Sequence, residues 1–201
     1  MQDPYVYPGT TVLRNKLGIT DGPALAQREG ELAFVRTLEL RQRPVKGRFD
    51  FAHLRALHRH IFQDIYPWAG DIRTVALSKG DTLFALPQYI QSYGDQLFVQ
   101  LGHESGLRGL DHGAFAERAA YYWGEINALH PFREGNGRTQ REFMTQLARE
   151  AGYILMLGRD CRRRPERVHP VAHVALALDD AIDARGVGYI VRGAGASMCG
   201  R

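Results

Sequence analysis

Apolar residues recur along most of this chain at three- and four-residue spacing, which predicts a largely helical fold. One stripe, Leu25, Leu32 and Val35, runs to about Leu40, with Asp21 as its cap and Pro23 at an early position. A second follows Asp50, another capping residue, and puts Leu54, Leu57, His58, Ile61, Phe62 and Ile65 on its core side. Pro67 and Gly70 end it, the first by removing a donor and the second by permitting a turn. Pro87 opens a third through Ile90, Leu97, Phe98 and Leu101, interrupted by Gly94. Asp111 caps a fourth, in which Ala116, Ala119, Ala120, Trp123 and Ile126 lead to His130. Phe143, Met144, Leu147, Ala148 and Ala151 mark a fifth that opens at about Arg138 and closes at Gly152. Val171, Val174, Ala175, Leu178 and Ile182 predict a last helix over about 170–185, before a small-residue tail, 193–201. Near the start, Val12, Leu13 and Leu17 fit a short helical pattern after a turn-rich segment, 5–10.

Two short runs break this pattern. Residues 72–77 and 82–86 read as strands, with Ser78-Lys79-Gly80-Asp81 as a hairpin turn. Two strands alone are marginal in water, so the hairpin is either a packed surface loop or an edge to which a partner's extended segment adds. No repeat, low-complexity block or long linker divides the 201 residues. The simplest architecture is therefore one all-α domain, core about 5–155, with a single small hairpin.

Composition narrows the class. Hydrophobic residues at 44% and charged residues at 24% describe an ordinary globule. The pI near 9.2 comes with a net charge of only +4, part of it from Arg162, Arg163 and Arg164. A solvated face explains that better than a nucleic-acid patch, so direct nucleic-acid binding is not expected. Cys161 and Cys199 cannot form a disulfide framework and suit a reducing compartment. With no apolar run after Met1 and none of membrane-spanning length, the chain reads as cytoplasmic where it is made, a secreted role being compatible. His53, His58 and His60 lie five and two apart, spacings that do not put ligand pairs on one helix face, so they read as core-edge and surface histidines rather than a zinc site.

The chemistry concentrates in residues 130–141, His-Pro-Phe-Arg-Glu-Gly-Asn-Gly-Arg-Thr-Gln-Arg. Gly135, Asn136 and Gly137 can turn consecutive N–H groups into one concavity, an anion nest. Arg138 and Arg141 lie in the first turn of the following helix, where the N-terminus already carries about half a positive charge. A bound polyanion would resolve that conflict. His130, at the end of the preceding helix, would overlook the nest as a general base. Glu134 is an acid where an anion should sit, which makes sense if it holds Mg²⁺ shared with substrate phosphates. Phe132 would anchor the loop by burying its ring. Taken singly, each has a plainer reading: a dipole partner, a solvated charge, a turn.

Taken together they match every fixed position of the Fic signature, His-x-Phe-x-(Asp/Glu)-Gly-Asn-Gly-Arg-x-x-Arg, and the chain resembles the Fic family in the Fic/Doc superfamily. A chance match at a given start is on the order of one in 10¹⁰ for uniform residue usage. Residues 57–70, Arg73 and the segment Lys79, Gly80, Asp81, Thr82, Leu83 and Phe84 resemble the helix and flap of Fic toxins, as does the opening Tyr7-Pro8-Gly9-Thr10 followed by 14–17.

The resemblance implies the Fic fold, a helical bundle with a β-hairpin flap over the site. It also implies a protein adenylyltransferase that moves AMP from ATP to a Tyr, Thr or Ser hydroxyl. His130 would take the hydroxyl proton and Glu134 would hold Mg²⁺. Gly135, Asn136 and Gly137 would cradle the anion, Arg138 and Arg141 would reach the outer phosphates, and Lys79 to Phe84 would align the target. Doc-like relatives have a lysine where this chain has Gly137 and transfer the γ-phosphate, so Gly137 favours AMP transfer.

The pattern (Ser/Thr)-x-x-x-Glu-(Gly/Asn) of the family's inhibitory helix is not found in the chain. A separate small antitoxin supplying that helix to Arg141 is therefore expected. The chain would then be the toxin of a toxin–antitoxin pair acting on GyrB/ParE-type subunits of DNA gyrase and topoisomerase IV. The alternatives are the Fic domain of a translocated effector that modifies host proteins, and a Fic enzyme using another nucleotide or phosphate donor. A non-enzymatic ATP-binding module would need a degenerate motif, and this one is intact.

Overall fold

A computed structural model describes residues 3–157 and 172–176. Five α-helices make the body: α1 (Gly22–Gln42), α2 (Phe51–Phe62), α3 (Pro87–His103), α4 (His112–Leu129) and α5 (Asn136–Glu150). Three begin where an aspartate side chain accepts an N–H of the first turn: Asp21 from Ala24, Asp50 from His53 and Asp111 from Ala114, each at 2.8–2.9 Å. Among the described residues no helix is long and apolar enough to cross a membrane.

Helix α2 lies at the centre, packed against α1, α3 and α5. Its Leu54, Leu57, Ile61 and Phe62 are sealed from solvent, as are Phe115, Ala119, Tyr122 and Leu129 of α4 and Phe143 and Leu147 of α5. Phe51 of α2 stacks on Phe98 of α3 at 5.6 Å, and Phe98 meets Phe143 edge-on. Gly94 leaves room for the Phe51 ring between α2 and α3, since a Cβ there would come within 2.7 Å of it. The end of α3 is tied to α4 by Glu104, which accepts from Arg118 at 2.6 Å and from the Tyr122 hydroxyl at 2.9 Å. The all-α bundle with a small antiparallel hairpin expected from the pattern is thus what forms.

Four local expectations differ from the structure. Residues 12–17 are not helical: Val6 and Leu13 form an antiparallel bridge, and the Asn15 side chain bonds the backbone of Leu13, Leu17 and Ile19, drawing those groups away from a helical ladder. The hairpin strands are two residues each, β1 (Ser78–Lys79) and β2 (Thr82–Leu83), with Gly80-Asp81 as the turn. Residues 72–77 are not a strand because their polar groups bond elsewhere: Arg73 N–H to Pro131 O and Thr74 N–H to the Tyr5 hydroxyl. Helix α5 opens two residues before Arg138, at Asn136. Where a helix over about 170–185 is expected, residues 172–176 form a strand, β4 (Ala172–Leu176), parallel to β3 (Tyr153–Leu157). The backbone of β3 finds its partners there instead of at an open edge. Residues 177–185 and the tail 193–201 lie outside the described residues.

Candidate active site

Helix α4 stops at Leu129, and His130 takes a left-handed conformation, φ 44° and ψ 61°, as its C-cap. Arg73 holds this turn. Its guanidinium, 1% exposed, donates from Nε to His130 O at 2.7 Å, from Nη1 to Val75 O at 2.6 Å, and from Nη2 to Ala85 O at 2.6 Å and Leu129 O at 3.4 Å. Its own N–H donates to Pro131 O at 2.9 Å. No ion pair of Arg73 is found among the described residues; the carbonyl end of α4 supplies the negative potential instead. Burial lowers its pKa to about 10, so it stays charged at neutral pH. One buried cation therefore joins the end of α4, the segments on either side of the hairpin and the loop after His130.

The His130 ring stacks on Phe84, centroids 3.8 Å apart and planes within 11°. Nδ1 lies 3.3 Å from Asn127 O. A carbonyl can only accept, so the proton is on Nδ1 and the lone pair on Nε2. Burial, and then the charges of Arg73 and Lys79, lower the pKa of His130 to about 4 against the opposing pull of Asn127 O. The ring is neutral at pH 7.

After His130 the loop is fixed from inside. Phe132 is 1% exposed and stacks on His58 at 3.8 Å and 16°. His58 accepts the Gly70 N–H at Nδ1, 2.8 Å, and donates from Nε2 to Glu134 O, 2.9 Å. Burial brings its pKa to about 3, so both bonds persist at neutral pH. The Asn136 side chain receives the Phe132 N–H at 2.8 Å and donates to Phe132 O at 2.6 Å. It staples the loop, and only its backbone is left for the anion role that the sequence assigns to Asn136. Gly135 caps α5 at φ +80°, and a Cβ on it would lie 2.3 Å from the Phe62 ring. At Gly137, which is exposed, a Cβ would meet nothing within 4 Å.

The mouth of α5 is thus open and has no side-chain cap. Around it stand Glu134, which accepts the Gly135 N–H at 2.8 Å, and Arg138, whose Nη2 lies 3.6 Å from Glu134 and also pairs with Glu29 of α1. Arg141 is exposed, with no ion pair among the described residues. An uncapped helix N-terminus with cations in its first two turns suits a polyphosphate. Glu134 contributes a single half-exposed carboxylate, and no cluster of three or more metal-ligating residues occurs among the described residues. That donor set fits Mg²⁺, which keeps water and shares substrate phosphates, rather than an ion needing a protein cage.

On the flap, Lys79, Gly80, Asp81 and Leu83 are exposed and Thr82 is half-buried. Phe84, the last residue of the expected flap, is 5% exposed, and its ring covers that of His130; its N–H is bonded to Leu77 O and the next to Ala128 O. Two residues near the site were not singled out as functional by the sequence pattern, His58 and Glu29. Each is a polar side chain on the buried stripe of its helix, and that placement is the signal that could have found them.

Residues 48–148 match the profile of the Fic/DOC family. The chain belongs to that family. It is 50% identical over 151 residues to the protein adenylyltransferase VbhT of Bartonella schoenbuchensis, covering 75% of this chain and 32% of that protein. It is 47% identical over 156 residues to "Probable protein adenylyltransferase y4lH" of Sinorhizobium fredii, covering 77% of this chain and 80% of that one. Among solved structures, the BepC protein of Bartonella tribocorum, a VirB-translocated effector with bound AMPPNP, superposes with a TM-score of 0.67 at 34% identity, over 74% of this chain and 78% of that one. The likeness spans about a third of VbhT and most of the shorter relatives, and it makes this Fic domain an enzyme of the protein adenylyltransferase class.

The two glycines separate folding from chemistry. Gly135→Ala is expected to cost about 2–4 kcal/mol of stability, through its left-handed backbone and the clash with Phe62. Gly137→Ala should unfold within about 1 kcal/mol of the parent. It should nevertheless lose AMP transfer by about tenfold or more, since the methyl stands on the open anion face. Chemical denaturation and label transfer measured on both variants check the contrast.

Proposed function

We propose that this site transfers AMP from ATP to a hydroxyl side chain of a target protein, with pyrophosphate leaving. The observation that carries the reading is the His130 ring, with Nδ1 turned to Asn127 O and Nε2 left to accept a proton, beside the uncapped N-terminus of α5 with open space at Gly137. Arg138, Arg141 and the first N–H groups of α5 bind the phosphates, and Glu134 would hold Mg²⁺. When bound, that ion neutralises charge on the phosphates as the leaving group departs. The target oxygen attacks the α-phosphorus, the bond to pyrophosphate breaks, and the hydroxyl proton passes to Nε2 of His130. The exposed flap residues Lys79, Gly80, Asp81, Thr82 and Leu83 present an edge that can align the target's extended segment.

Of the two biological settings, the translocated effector acting on host proteins has the better support, since a VirB-translocated Bartonella effector and a type IV secretion system effector are among the solved relatives at 34% identity. The toxin setting, with an antitoxin helix on Arg141 and a type II topoisomerase target, rests on the family resemblance and on the exposed Arg141 without an ion pair among the described residues. Label separates donor and setting together. ATP labelled at the α-phosphate, but not at the γ-phosphate, is expected to mark protein in a eukaryotic host-cell lysate, and His130→Ala should abolish the mark. Label from the γ-position would contradict AMP transfer, and a band confined to bacterial lysate would favour the toxin setting.

The acid limb follows from the depressed pKa. The base works when neutral, so kcat/KM should fall as pH drops through about 4 rather than through the ordinary histidine range near 6.5. A limb centred above pH 6 would contradict the burial account of His130.

A further inference from the structure

Arg138 sits in the first turn of α5, where the helix field repels it, yet its guanidinium has a defined place. That place is set largely from outside the motif. Glu29 of α1 is 9% exposed and lies on the buried stripe of its helix with Leu25, Ala33 and Leu40. A lone carboxylate there would be costly, and it has two partners, the Tyr66 hydroxyl and Arg138 Nη2. Tyr66 is itself packed in the core, 1% exposed, with its ring stacked on Trp68 at 4.2 Å. Burial, then the bond to Glu29, holds the Tyr66 phenol protonated, well above its ordinary range. The face of the Arg138 guanidinium lies 4.7 Å over the Phe62 ring. A carboxylate from α1 and a ring from α2 therefore fix a long side chain that would otherwise sample many rotamers.

We propose that Glu29, backed by Tyr66, is the positioning residue of Arg138 and presents its guanidinium to the outer phosphates of ATP. The inference rests on the AMP-transfer reading of the site. A guanidinium has five donors in a fixed fork. Glu29 engages it at Nη2, and the remaining donors are then aimed rather than searching. Glu134 touches the same nitrogen more distantly and is the carboxylate that would turn to the cation. Glu29, buried, stays as the permanent partner.

The test is calorimetric binding of ATP with Mg²⁺ and of AMP to the full chain, alongside kcat and KM for ATP, in the parent, Glu29→Gln and Tyr66→Phe. Glu29→Gln keeps the shape and removes the charge. It is expected to raise the Kd and KM for ATP about tenfold, with kcat changed by less than about threefold and AMP affinity unmoved, because AMP lacks the outer phosphates. Tyr66→Phe should shift ATP in the same direction by about threefold, and it decides the matter should Glu29→Gln fail to fold. ATP affinity unchanged or tightened in the variants would overturn the proposal; so would AMP affinity falling in step with ATP, which marks a general distortion. If the parent itself moves no AMP from ATP, the underlying reading fails, a result separable from any failure of Glu29.

Discussion

A buried guanidinium without a carboxylate partner among the described residues is the constraint on which this site depends. Arg73 could not remain charged in the core unless carbonyls converged on it, and the carbonyls that do so come from Leu129, His130, Val75 and Ala85. The requirement runs both ways. The last turn of α4 needs donors for its free carbonyls, and the segments on either side of the hairpin need a fixed anchor. One side chain satisfies both, and in doing so it sets the left-handed turn at His130 and the distance from that ring to Phe84. Its charge also acts on the His130 imidazole, helping to keep it neutral.

The half of the site proposed to take the phosphates rests on a different balance. Helix α5 begins without a side-chain cap, and its first turn carries Arg138 and no acid, with Arg141 one turn on, an arrangement that disfavours the empty state. Two carboxylates offset it for Arg138, one near the surface at Glu134 and one buried at Glu29. Of the two, the half-exposed Glu134 is the one that would change partner in the proposed nucleotide complex. The loop between the two halves is held by neutral bonds from Asn136 and His58. Its geometry therefore does not depend on which charges are paired.

Much of this was legible in the sequence, for physical reasons that differ by residue. The helices were, because Asp21, Asp50 and Asp111 are strong caps and the apolar stripes of α2 to α5 are regular. The motif was, because His130, Glu134, the glycines and the two arginines have a joint electrostatic meaning that none has alone. What escaped depended on contacts distant in the chain. No local pattern says that residues 72–77 give up strand pairing to reach Tyr5 and Pro131, or that Asn15 uses its side chain to hold the backbone out of a helix. Phe84 looks from sequence like a surface member of the hairpin, and only packing against α4 shows it to be the lid on His130. Glu29 and His58 were visible as polar positions on buried stripes, but their partners, Arg138 and Glu134, lie across the fold. The three- and four-residue spacing of Val171, Val174, Ala175 and Leu178 reads as helix, and only the neighbour β3, distant in the chain, shows residues 172–176 as a strand.

The most direct measurement of the central role given to Arg73 is amide hydrogen exchange on Arg73→Met beside the parent, with AMP transfer measured on the same samples. The account predicts faster exchange at Ala85, His130 and the hairpin, with loss of transfer, while protection in the middle of α2 and α5 is retained. Unchanged protection around His130 with activity intact would contradict it.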